Sequence, residues 1–226
     1  MTLKDVLYVV SDMAQALRGV KELNVDTFNR YVLLANNELK RTVFGFPEEK
    51  TGYENREQIS DDLFPFRAVS TIAISSYSGV GAALLPSNYW HKISLEIAAP
   101  ATYLGYPFQF VTVEEFAERI SNSVTLPTTQ YPIANIRPIG GSNYISIYPT
   151  TGITSVTFHY LKTDTPELWL KTENGVQVYD SDNSTELLWK QDKYIDIIRI
   201  ILGYLNIPVS NQEVLAYTEA KTTKTN

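Results

Sequence analysis

The chain has 226 residues, 44% of them apolar and 12% aromatic, with 19 Lys and Arg against 25 Asp and Glu for a formal charge of −6. That content excludes a chain that is disordered throughout, and the length suffices to bury roughly 70% of the unfolded chain's surface. The absence of Cys removes disulfides, thiolate zinc sites and cysteine nucleophiles together, and the acidic balance argues against a basic DNA-gripping surface.

The first elements read as a helical hairpin over residues 1–47. Leu3, Val6, Leu7, Val10, Ala14 and Leu17 follow the spacing of one helix face, with Thr2 placed to cap it and Gly19 to stop it. Lys4 and Asp5 interrupt any apolar leader, so the opening reads as a helix and not as an address. Asn24 opens the second helix, whose face is Phe28, Val32, Ala35, Leu39 and Val43, and Gly45 and Pro47 end it. Residues 48–66 are charged and polar, the composition of an excursion loop.

Residues 67–182 have strand chemistry and form the expected β-rich body. Ala68 to Ser75 and Lys92 to Ala98 mix β-branched with small residues. Ser142 to Pro149 and Ser155 to Leu161 alternate around Thr150-Thr-Gly152, which predicts an antiparallel hairpin between them. One helix is inserted at 112–122, where Thr112 and Glu115 have capping spacing and Val111 and Phe116 can staple. Glu173-Asn-Gly175 marks a further tight turn. Charge is scarce here: residues 68–163 carry Lys92, Glu96, Glu114, Glu115, Glu118, Arg119, Arg137 and Lys162, eight in 96 residues, whereas the other 130 carry 36. Exposed monomer surfaces spread charge more evenly, so this middle is expected to be covered or to be an assembly surface. Ala68 to Trp90 is long and uncharged, but its Ser, Thr and Gly content and Pro86 make it a poor membrane solute. A protein without a membrane span, made in a cytoplasm, is expected.

The last elements are two helices over 183–219, expected to pack on the N-terminal pair, and a flexible tail at 220–226. Tyr194, Ile197, Ile198, Ile201 and Leu205 define one face of the first, and Ile195, Ile200 and Leu202 fill much of the other, so it must be covered on most sides. Ser210 and Glu213 open the second helix in capping-box spacing. Tyr194, Ile198, Ile201, Tyr217, Lys221 and Lys224 are therefore the candidate inter-protein contacts. The class is α+β: an N-terminal helical hairpin, an antiparallel β-rich middle with one inserted helix, and a C-terminal helix pair.

Motifs with chemistry are few. Gly79-Val-Gly81 begins like a dinucleotide fingerprint, but Leu84 stands at the third glycine position, so a glycine turn is the better account. His91 and His159 fall in strand-like segments without a nucleophile beside them. Asp61/Asp62 and Glu114/Glu115 are explained by a loop and by capping. Asp180, Asp182 and Ser184 alternate like calcium-loop ligands, yet Thr185 and Gln191 stand where Gly and a closing Glu belong, so they are only a weak metal candidate against a capped turn. No cofactor is implied and no catalytic residue is assigned.

Several short motifs follow one another along the chain: Leu85-Pro-Ser-Asn-Tyr-Trp-His91, Glu115-Phe-Ala-Glu-Arg119, Leu126-Pro-Thr128 with Tyr131-Pro132, Ile145 to Pro149 into Val156 to Tyr160, Glu186-Leu-Leu-Trp189, Leu205-Asn-Ile207 and Val214 to Tyr217. With these motifs the order of elements resembles the head-to-tail adaptor or ring proteins of tailed bacteriophages, in particular those of crAss-like phages. Asn206 stands where such proteins often carry Gly. The resemblance implies a non-enzymatic virion subunit, commonly one of twelve in a homo-oligomeric ring, that joins portal and tail and lines the channel, with DNA as non-specific cargo. The portal and adjacent tail or ring proteins would be its partners, in the phage neck and, during assembly, the host cytoplasm. A β-sandwich tail module that binds carbohydrate or a receptor is the alternative, and its signal would be exposed Tyr and Trp.

Overall fold

The structure, a computed structural model, describes residues 1–19, 23–44, 61–77 and 79–222. Most of the excursion expected at 48–66, together with Gly45 and Pro47, lies outside the described residues. The fold is an α+β mix with N-terminal helices, a β-rich middle and C-terminal helices. Its contacts divide the chain into a helical unit, residues 1–65 with 164–226, and a β unit, residues 66–163. The division thus falls at 163/164 and not at the 182 expected from composition, because the stretch after Asp164 packs with the helices.

In the helical unit, α1 (Leu3–Arg18) begins with a capping box in which the Thr2 hydroxyl accepts from the Asp5 N–H and the Asp5 carboxylate accepts from the Thr2 N–H, and Gly19 closes it at φ 63°. Its buried stripe is Leu3, Val6, Val9, Val10, Met13 and Ala14. The expected face is corrected at two positions: the stripe turns through Val9 and Met13, which leaves Leu7 half-buried and Leu17 in solvent. Helix α2 (Val25–Phe44) buries Phe28, Val32, Ala35 and Leu39, and with them the polar Asn36 and Lys40. Further along lie the β9–β10 ribbon (Leu170–Glu173 and Val176–Tyr179), α4 (Lys193–Tyr204) and α5 (Asn211–Thr222). Asn174 and Gly175 join the ribbon with φ of 52° and 80°, the two positive values of a type I′ turn. Helix α4 packs on α1, α2 and α5, and Asn206 follows it at φ 57°, a left-handed conformation that Gly or Asn adopts at low cost. Helix α5 runs on through Thr222, past the 220 at which a flexible tail was expected to begin. Residues 223–226 are outside the described residues.

The β unit is a two-sheet sandwich. Strands β1 (Arg67–Ala73), β8 (Ser155–Lys162) and β4 (Tyr89–Ala99) form an antiparallel sheet in the order β1-β8-β4. The second sheet has the order β2-β3-β7-β6-β5, from β2 (Ser75–Tyr77), β3 (Val80–Leu84), β7 (Ser142–Tyr148), β6 (Ile133–Ile139) and β5 (Gln109–Phe110), with β5 parallel to β6. Leu95, Ile97, Val156 and Phe158 of the first sheet share one core with Ala83, Ala134, Ile145 and Ile147 of the second. Helix α3 (Val113–Ser121), capped by Thr112, covers the opposite face of the second sheet with Phe116 against Val80 and Ile133. This two-sided cover explains why Ile145, Ser146 and Ile147 are all buried in succession.

The hairpin expected between 142–149 and 155–161 is a correction. The two segments are β7 and β8, which lie in opposite sheets, and residues 149–154 carry the chain across the sandwich with Ile153 buried in its core. Each strand pairs with two others: β7 with β3 and β6, β8 with β1 and β4.

Gly81 lies in β3 where a Cβ would stand 2.6 Å from Ile147 Cγ1 and 2.8 Å from Ile74 Cγ2. These are branched side chains in the core, so neither swings away freely. Gly81→Ala is expected to lower stability by about 1–3 kcal/mol through overpacking, read as a lower denaturation midpoint with an unchanged slope.

Candidate interaction surface

Among the described residues no group of three or more His, Asp or Glu is placed to hold a metal ion. His159 Nε2 stands 3.5 Å from Glu96 Oε1 on half-exposed strand positions, and His91 lies opposite Leu161 near the start of β4. Asp62 pairs with Lys193 at 3.0 Å and Glu115 with Arg119 at 2.6 Å.

The weak calcium candidate is a turn. The Asp180 carboxylate accepts from the N–H groups of Asp182 and Asn183 at 3.1 and 3.4 Å and from Asn183 Nδ2 at 2.6 Å, and Ser184 Oγ donates to the Asp180 carbonyl at 2.6 Å. These donors, the Asn183 amide foremost, hold the Asp180 carboxyl below the usual carboxylate range. Asp182 and Ser184 do not converge with it on a common point; Ser184 turns to Trp169, whose N–H donates to its Oγ at 2.9 Å.

A buried polar network in the helical unit was not legible in any motif. Lys40, one turn after Asn36 on α2, pairs with Asp164, and both side chains are almost fully buried. Asn36 Nδ2 donates to the same Asp164 oxygen at 3.1 Å, and Trp189 Nε1 donates to Asn36 Oδ1 at 2.7 Å. Asn29, two turns earlier, exchanges two 2.9 Å bonds with the Leu168 backbone, as a neighbouring strand would. Glu186 accepts from the Leu3 N–H at 2.7 Å, at the positive end of α1, and from the Tyr179 hydroxyl.

Of the candidate contacts, Tyr194, Ile198 and Ile201 are corrected: all three side chains are buried in the helical unit's own core, where α1 and α2 supply the cover that α4 requires. Tyr217 is half-buried on α5. Lys221 lies in the last turn of α5 with its side chain outside the described residues, and Lys224 is wholly outside them.

The surface that remains is on the β unit. The unit, residues 66–163, carries nine charges, Arg67 and the eight above, and five of them have these partners within it: Glu115 with Arg119, Glu96 with His159, Lys92 with its Nζ 4.4 Å from the Phe110 ring centre, and Arg137, whose Nε donates to the buried Ser146 Oγ at 2.7 Å. Val69, Tyr77, Leu84, Ile93, Leu104, Val124 and Tyr131 are exposed. Val124, Leu126 and Tyr131 rim a cleft of about 230 Å³ whose polar walls are Gln109, Arg119, Thr125 and Thr128. A second cleft, about 340 Å³, lies in the helical unit between Glu38, Arg199, Tyr204 and the Ile207–Val209 turn, with the Tyr204 hydroxyl donating to Glu38 at 2.5 Å.

No protein-family model matches the chain, and no curated protein matches it. No described helix is long and apolar enough to cross a membrane.

Two outcomes follow from the buried groups. Lys40→Met strands the Asp164 carboxylate without its cation and is expected to cost about 3–5 kcal/mol, while Lys40→Met with Asp164→Leu recovers most of it; chemical denaturation of both variants checks this. Burial pushes the hydroxyls of Tyr194 and Tyr204 up to about 12, helped at Tyr194 by the charge of Glu186 and at Tyr204 by the bond to Glu38. The folded state therefore keeps protons that an unfolded Tyr releases near 10.0, so stability present below pH 10 is lost as pH rises toward 12. Tyr194→Phe is expected to flatten that loss in a pH series of denaturation midpoints.

Proposed function

We propose that the protein is a virion structural subunit, a ring-forming head-to-tail connector that joins portal and tail and lines the channel for DNA. The observation that carries this reading is the β unit's surface, poor in charge, with most of its few charges engaged internally and with branched apolar side chains left in solvent. Permanent subunit interfaces are larger and more apolar than transient ones, and charged side chains are depleted at their centres. The chain's acidic balance supports the same role, since phosphate affinity comes from Lys and Arg and a channel must let DNA slide. The role is mechanical, with portal and adjacent ring or tail proteins as partners in the phage neck.

The second reading, a carbohydrate- or receptor-binding module, is favoured by one observation: Tyr131, 78% exposed, stands at the mouth of a cleft lined by Gln109, Arg119, Thr125 and Thr128. An aromatic face beside amide and hydroxyl groups suits a sugar ring.

Electron microscopy and native mass measurement of the purified protein, alone and mixed with candidate portal proteins, separate the two. Closed rings with one copy per portal subunit are the expected result. A monomer indifferent to portal, retained on a glycan column through Tyr131, would overturn the connector reading.

A further inference from the structure

The edges of the two sheets in the β unit are guarded unequally. Strand β4 loses its register at three places, and residues 105–108 run along its outer side, with the Gly105 N–H on the Ile97 carbonyl at 2.9 Å, the Ile97 N–H on the Tyr106 carbonyl at 3.0 Å and the Phe108 N–H on the Leu95 carbonyl at 2.8 Å. Strand β5 is two residues long. Bulges, coverage and shortness are the means by which natural sheets refuse a further strand.

The remaining edges belong to one stretch of chain. Strand β1 ends the first sheet and β2, which follows it after Ile74, ends the second. Strand β1 keeps an unbroken register of seven pairs with β8, and residues 68–77 contain no charged residue, no Pro and no Gly. Val69, 61% exposed, alternates with Ala68 and Ser70 and shares its face with Thr71, Ala73 and, at the start of the strand, Arg67. Among the described residues no strand pairs with the outer side of either.

The helical unit offers the complement. A two-stranded ribbon is marginal by itself and gains from a third strand. In β9, Lys171 and Glu173 are exposed and pair with each other at 2.9 Å. Strand β10 reads Val-Gln-Val-Tyr without a charge, and its Val176 is 63% exposed.

We propose that β10 of one copy adds to the β1 edge of a second copy, so that backbone pairing between copies is the contact that propagates the assembly. Charge selects this partner. Strand β10, four residues long and uncharged, fits along residues 68–73 of β1, clear of the exposed Arg67 at its start, and buries no unpaired charge there, whereas β9 would bring Lys171 and Glu173 to the junction. Branched Val176 and Val178 meet branched Val69 and Thr71, the side-chain types that pair best across strands. Donor and acceptor edges differ and both are on every chain, so the contact is head-to-tail and closes as a ring or continues as a filament; β1 against β1 would stop at a two-fold dimer. Ring closure, though not the pairing itself, rests on the connector reading.

The chain contains no Cys, which makes the test clean. Single-cysteine variants of one edge (Val69→Cys, Thr71→Cys, Ala73→Cys) are mixed with those of the other (Val176→Cys, Val178→Cys) and oxidised, all at exposed positions. A disulfide between a β1 cysteine and a β10 cysteine of different copies is expected, and it should be lost when Val69→Lys and Thr71→Lys are added to a chain carrying Ala73→Cys. Disulfides formed only between two β1 cysteines, or none of either kind, would overturn the proposal. Microscopy of the same samples keeps the two ideas apart: rings without the mixed disulfide leave the connector reading and remove the strand addition, and mixed disulfides in open chains do the reverse.

Discussion

The helical unit depends on the buried pair of Lys40 and Asp164. Its helices α1 and α2 precede the β unit and everything else in it follows, so two stretches of chain must find each other across residues 66–163. Asp164 is the first residue of the returning stretch, and it is met at once by Lys40 and Asn36 of α2. Taking two charges out of water costs several kcal/mol apiece unless they are paired and hydrogen-bonded, and that cost is a device for specificity. An apolar residue at 164 could settle at many places on α2, whereas a buried carboxylate is matched there by one buried cation, Lys40, since Arg30 and Arg41 of the same helix are exposed. Once it is seated, Leu168 falls opposite Asn29 and Trp189 opposite Asn36, and Glu186 reaches the start of α1.

The β unit is built on the opposite economy. Its core is made of Val, Ile, Leu and Phe from two sheets, and its second sheet is sealed on the far face by one short helix anchored by Phe116. Polar exceptions are confined to one rung of the ladder, where Asn135 lies opposite Ser146. Ser146 accepts from Arg137, while the Asn135 amide is buried without a hydrogen-bond partner among the described residues, a burden on stability of the order of 1–3 kcal/mol. With apolar contacts supplying its stability, the unit needs few surface charges, and its charge-poor surface is what the assembly reading turns on.

What the sequence disclosed was local. Thr2, Thr112 with Glu115, Ser210 with Glu213 and Asn174-Gly175 each declare a helix start or a turn within a few residues, and each is present. Alternation marked β7 and β8 as strands, but alternation says nothing about which strands are neighbours, and the short Thr-Thr-Gly link between them turned out to cross a sandwich. The Ile-rich run in α4 announced a helix that must be covered, without saying by whom; the answer, α1 and α2, needed contacts over more than 150 residues of sequence, as Trp189 to Asn36 illustrates at 153. Lys40 and Asp164 are 124 residues apart, and each taken alone looks like an ordinary surface charge. The candidate surface was legible only as a statistic of missing charge, since which apolar residues face out is decided by pairing.

Synthesis of the chain inherits a delay from the interrupted helical unit. When α2 leaves the ribosome, only α1 has been made before it, the helix that covers Phe28, Val32 and Leu39 is still to come, and the strands of the β unit come next. At roughly 5–20 residues per second, about 6–24 s pass before Asp164 emerges and about 8–32 s before Trp189 and α4 complete the core. For that interval the apolar faces of the first two helices wait for the cover that α4 supplies, while the whole inserted sandwich has already been made.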